Sequence, residues 1–163
     1  MNSASVSVFN SRLLQLPAFA HNKRSLDSLQ YSKVLKGHTG RLVTQFRLGL
    51  SPLRNHLFTY NITDNPFCPS CGVSLETLSH FLFECPVYSQ QRCILLNDLK
   101  TLITHIKQDL NLTLDIDKQD DVKYILINGL NLPSTDANYC INSAIFNIAS
   151  TFITSVARFN KRL

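Results

Sequence analysis

Four side chains that bind metals crowd into residues 68–85 of this 163-residue chain, in the order Cys68-x2-Cys71-x8-His80-x4-Cys85. Two thiols two residues apart on a tight turn can point at one ion, and Gly72 lets the chain leave that turn. Zinc takes four nitrogen or sulfur ligands in a tetrahedron, at about 2.3 Å to sulfur and about 2.0 Å to nitrogen. Cys68, Cys71, His80 and Cys85 are therefore the expected ligands of one CCHC zinc knuckle. The segment Ser74 to Glu84 is expected to be a short helix with Leu75, Leu78, Phe81 and Leu82 on one stripe and His80 off it. Pro86 should end that helix, because the residue before a proline is pushed out of the helical region, and Cys85 can then turn back. Glu76 and Glu84 are each four residues from His80, and either is expected to accept the ring N–H that faces away from the metal. The competing account is three ordinary buried thiols and a surface histidine. Four ligands with fitting turn and helix punctuation favour zinc. A full ligand set leaves no place for water, so the ion is expected to be structural and not catalytic.

The rest of the chain reads as helical. Arg41 to Leu50 has helical period, entered at Thr39 and Gly40, with Leu42, Val43, Phe46 and Leu50 on one half and Arg41, Thr44, Gln45 and Arg47 on the other. Ser51 as N-cap and Pro52 at the first helical position should open a second helix to Tyr60. A longer helix from about Val87 carries Tyr88, Leu95, Leu96, Leu99, Leu102, Ile103 and Ile106 at helical spacing. Asp115, Asp117, Asp120 and Asp121 suit the start of another, burying Val122, Ile125 and Leu126 and ending at Gly129. Pro133, Ser134 and Thr135 introduce a last helix with Ile141, Ile145, Ile148, Phe152, Val156 and Phe159 inward. No strand pair stands out. The expected fold class is mostly α: a small helical domain with one CCHC zinc knuckle. Its parts are a poorly structured arm over 1–32, basic helices plus the zinc module over 33–100, and a helical tail over 101–163 packing on them. Cys93 and Cys140 are expected to be core thiols.

Charge narrows the function. Residues 1–63 hold eight Lys/Arg against one acid, Asp27, for a net of +7, whereas the whole chain carries +5. A one-sided basic segment fits a polyanion, since each neutralised phosphate releases counterions. Lys33, Lys36, Arg41, Arg47 and Arg54 are the expected phosphate contacts, with Phe58, Tyr60 and Phe67 as nearby candidates for base stacking. The bland alternative is a solvated basic surface. No run approaches the ~20 apolar residues of a membrane span, and the opening MNSASVSVFNSRLLQLPAFA is a poor secretory signal. An intracellular protein, nuclear or cytoplasmic, follows as the expectation, and the sequons at Asn61 and Asn111 read as chance. The aspartates of 115–121 lack the glycine and terminal glutamate of a calcium loop. No phosphate loop or catalytic triad pattern appears.

Residues 33–100 resemble the zinc-binding region at the C-terminal end of reverse transcriptases from LINE-type (non-LTR) retrotransposons. The matching stretch is GRLVTQFRLGLSPLRNHLFTYNITDNPFCPSCGVSLETLSHFLFECPVYSQQR, and its specific half is the Cys pair followed by E-T-x-x-H-F-L-x-x-C-P. Arg41, Arg47, Gly49, Leu53, Cys68, Cys71, Glu76, Thr77, His80, Phe81, Cys85, Pro86 and Arg92 occupy the family's places. The resemblance implies a module that helps to grip RNA or DNA, with the polymerase part of a retroelement protein as a further partner. These 163 residues lack the family's polymerase and endonuclease parts. The expectation is thus a non-catalytic fragment or stand-alone remnant, and the alternative is a structural or protein-interaction module.

Overall fold

The computed structural model describes residues 37–110, 116–130 and 136–159. The expected arm over 1–32, with Lys33 and Lys36, lies outside them, as do Asp115 and Pro133 to Thr135. Among the described residues five α-helices carry the fold: α1 Gly37–Arg47, α2 Arg54–Thr59, α3 Ser89–Leu110, α4 Gln119–Asn128 and α5 Asp136–Ser155. Between α2 and α3 lie a π-helical turn, His80–Glu84, and a 3-10 turn, Pro86–Tyr88; a second 3-10 turn, Ala157–Phe159, follows α5. The described residues contain no strand, only one antiparallel bridge between Phe67 and Leu75. The protein is a small, mostly helical domain, and among the described residues no helix is long and apolar enough to cross a membrane.

One apolar cluster holds the helices together. In α3, Leu95, Leu99 and Ile103 repeat every four residues and are buried, because that spacing keeps them on one face. α3 packs along α5, α4 also packs on α5, and α1 lies against both α4 and α5. α5 supplies Ile145, Phe146, Ala149, Phe152, Ile153 and Val156 to this core, and α4 supplies Val122, Ile125 and Leu126. Asp120 and Asp121 stand in the first turn of α4, where negative charge suits the helix dipole. Gly129 closes α4 at φ +72, and a Cβ there would lie 2.7 Å from Asn142 Oδ1. That approach is used. Asn142 Oδ1 accepts the Leu130 N–H at 2.7 Å and its amide donates to the Leu130 carbonyl at 3.0 Å, tying the end of α4 to α5.

Several boundaries differ from the sequence reading, each for a local reason. α1 begins at Gly37 and stops at Arg47; Gly49 follows at φ +70, and Leu50, beyond the helix, is exposed. Ser51 does not cap α2 as an N-cap residue. Its hydroxyl accepts the Leu53 N–H at 3.2 Å, and the buried Leu53 is the residue from which α2 starts. The helix expected from Ser74 begins after Thr77, which leaves Leu75 half in solvent. Cys93 and Cys140 are exposed thiols, not core ones, because their angular positions on α3 and α5 fall outside the buried faces. Phe159 belongs to the final 3-10 turn and still packs inward, 5.4 Å from the Phe81 ring.

Candidate metal centre

The loop from Pro66 to Thr77 folds back on itself. The Cys68 N–H donates to the Ser74 carbonyl at 2.8 Å and the Glu76 N–H to the Pro66 carbonyl at 2.9 Å, flanking the Phe67–Leu75 bridge. At the tip the Gly72 N–H donates to the Cys68 carbonyl at 2.8 Å, and Gly72 takes φ +70, which costs glycine no Cβ clash. This narrow turn holds Cys68 and Cys71 on one side. Thr77 then starts the helical segment that carries the histidine. Its hydroxyl accepts the His80 N–H at 3.0 Å, a capping bond to the third helical residue, and its carbonyl accepts the Phe81 N–H at 2.9 Å.

The π-turn positions the last two ligands. In an α-helix, residues five apart are rotated by about 140° from one another, so His80 and Cys85 would diverge. Here the Cys85 N–H bonds to the His80 carbonyl at 2.8 Å, one residue longer than an α-helical bond, and the widened turn brings both residues to one side. Pro86 helps by forcing Cys85 extended, at φ −60 and ψ 119. All four donor atoms, three Sγ and one imidazole nitrogen, lie within 4.8 Å of one another. Cys68 Sγ is 3.9 Å from Cys85 Sγ, and Cys71 Sγ is 3.4 Å from His80 Nε2. The first distance is far longer than the ~2.05 Å of a disulfide. Cys68, Cys71, His80 and Cys85 together can hold a metal ion.

The surroundings treat the thiols unequally. The backbone N–H groups of Val73 and Ser74 favour the thiolate of Cys71 and bring its pKa down to about 6. Burial pushes Cys85 up to about 11, against a weaker opposing bond from Val87. The ring of His80 presents Nε2 to the thiols, and its Nδ1, buried, has Glu84 Oε2 at 3.7 Å. That distance is too long for a hydrogen bond, but Glu84 is the acid on that side of the ring.

Glu76 is not the partner of His80. Its side chain, 1% exposed, accepts Arg158 Nε at 2.5 Å and Nη2 at 2.9 Å, and also the Arg54 N–H at 2.6 Å. One carboxylate thus ties the hairpin to the start of α2 and to the turn after α5. Arg158 was not among the residues singled out from sequence, and no local signal marks it, since it lies 82 residues from Glu76. Arg92 was noted only as a family position; its Nη2 donates to the Cys85 carbonyl at 2.7 Å. Tyr88 and Ser70 share a hydrogen bond that clips the Cys68–Cys71 turn to the 3-10 turn. Beneath the centre, Phe81 packs among Phe46, Tyr88, Phe152 and Phe159, with ring centroids 5.4–6.1 Å apart.

Of the expected phosphate contacts, Arg41 is exposed on α1, Arg54 is half-buried at the start of α2, and Arg47 is half-buried and engaged with other protein groups. Phe58, Tyr60 and Phe67 all reach solvent. No protein-family model matches this chain, and no curated protein or solved structure matches it significantly.

Proposed function

We propose that this chain is a zinc-stabilised nucleic-acid-binding module, similar in kind to the C-terminal zinc-binding region of LINE-type reverse transcriptases. The observation that carries the reading is the closed three-cysteine, one-histidine cluster, joined through Glu76 to the basic α2 segment. Ligand bonds of zinc, about 2.3 Å to sulfur and about 2.0 Å to nitrogen, give tetrahedral edges of about 3.8 Å between sulfurs and about 3.5 Å between sulfur and nitrogen. The separations of 3.9 Å and 3.4 Å found here fit those edges. Soft thiolate ligands also select zinc over magnesium or calcium, which prefer oxygen. With four protein ligands the ion supplies rigidity and no open coordination position, so the role is binding rather than catalysis.

Between Asp27 and Asp64 the sequence has no acid, and Arg41 and Arg54 lie within that span. Phosphates of RNA or DNA are the natural counter-charge. The test is a titration of zinc-loaded protein with nucleic acid at two salt concentrations, comparing wild type with Arg41→Gln/Arg54→Gln. Each lost phosphate contact should flatten the salt slope by about one unit. An unchanged slope and affinity would overturn this assignment. It would favour the second reading, a protein-interaction module, for which the exposed Val73 and Val87 beside the cluster speak.

A further inference from the structure

α2 buries none of its residues. It is held at its base by the buried Leu53 and by the Arg54 N–H bond to Glu76, so its outer side chains are not needed to keep it in place. Two large rings nevertheless stand open at its C-terminal end, Phe58 within α2 and Tyr60 as its C-cap. Phe58 is 45% exposed and Tyr60 is 61% exposed. An aromatic ring standing in water gains little from folding, since its stabilisation comes from surface removed from solvent. Arg54 lies four residues before Phe58 and His56 four before Tyr60, so each ring shares a helix side with a nitrogenous side chain. The His56 and Tyr60 rings are 4.8 Å apart. Phe67, 44% exposed, belongs to the hairpin that Glu76 ties to this same helix.

We propose that Phe58 and Tyr60, on two sides of the C-terminal end of α2, form a two-faced stacking platform for unpaired bases, and that the partner is a single-stranded nucleic acid whose phosphates meet Arg54. The inference rests on the nucleic-acid reading above and specifies the form of the ligand. Rings interleaved with cations in an acid-free stretch match a strand that offers both base faces and phosphates. A duplex offers phosphates but keeps its base faces stacked inside. An acidic protein would be met by the cations but would not need flat rings beside them.

The test uses the full zinc-loaded chain, a fluorescein-labelled single strand of mixed sequence, and the same strand annealed to its complement. Wild type should bind the single strand about tenfold or more tightly than the duplex. Phe58→Ala/Tyr60→Ala should weaken single-strand binding by about tenfold or more, with the salt slope and duplex binding unchanged. The chain has no tryptophan, so tyrosine emission can be read directly. Stacking should quench it in wild type, whereas Tyr60→Phe should keep the affinity and lose most of the quench. Equal binding of both forms, unaffected by the double variant, overturns the platform and leaves the nucleic-acid reading standing. No binding of either form at low salt overturns that reading and the platform with it. A wild-type dimer that the double variant dissolves would show the patch to be a self-association surface, which also overturns the proposal.

Discussion

The carboxylate of Glu76 accepts three hydrogen bonds, two from the Arg158 guanidinium and one from the Arg54 backbone. A buried charge with so many partners is tolerated only while they are present, because loss of one partner strands the other in a poorly solvated site. Glu76→Ala should therefore destabilise the zinc-loaded protein by about 3 kcal/mol or more, read as a lower urea midpoint with the same slope. A midpoint within error of wild type would show that the pair contributes little. Cys93 makes the opposite case. Its thiol is exposed and only accepts a weak bond from Asn97 at 3.6 Å, so Cys93→Ala should keep full metal content and change stability by less than about 0.5 kcal/mol. Loss of metal in that variant would make Cys93 a ligand and displace Cys85 from the set. Position 93 borders the apolar stripe of its helix, which suggests a core thiol there. What decides burial is the angle on α3, and Leu95, Leu99 and Ile103 occupy the inward one.

The hairpin, the π-turn and the 3-10 turn act as one element around the cluster. Their ligands were legible in the sequence because Cys-x2-Cys, a helical histidine and a pre-proline cysteine are local signals. Three other features were not. The π-turn leaves no periodic trace in five residues. The helix expected from Ser74 starts only after Thr77, which caps it, and this leaves Glu76 outside the helix and away from His80. Arg158 reaches the hairpin only through the tertiary fold, and no window of sequence contains both partners. In the metal-free protein Cys71, with pKa near 6, is already largely thiolate at neutral pH, whereas Cys85, near 11, is protonated. Zinc must displace that proton, so zinc affinity should rise with pH by about tenfold per unit between pH 6.5 and 7.5 for each proton released. Competition titrations against a chelator at both pH values measure it; a pH-independent affinity would contradict the protonated Cys85. Phe81, buried among four other rings, joins the element to the helices. Phe81→Ala should cost about 3–5 kcal/mol in thermal or urea unfolding, as for other core phenylalanines, and a loss below about 1 kcal/mol would mean that the rings close over the gap.

At the scale of the molecule, the helical core and the cluster are continuous, since Cys68, Phe81, Leu82, Cys85 and Tyr88 lie in the same buried apolar cluster as the helix faces. The α3, α4 and α5 faces follow helical period closely, and Gly129 ends α4 where the sequence placed its stop. The association of α1 with α4 and α5 depends on which apolar faces meet, which periodicity does not specify. Metal binding to such a fold is folding free energy, since the unfolded chain does not hold four ligands in place. The basic residues of α2 are carried on the same frame, through the Glu76 bond to α2, so the nucleic-acid binding proposed for them should weaken on metal removal. The most direct measurement is the mass of the intact chain, purified without added metal and sprayed under native conditions. The account predicts one zinc ion per chain in wild type and none in Cys85→Ser. A wild-type protein without zinc, or a Cys85→Ser protein that keeps it, would contradict it.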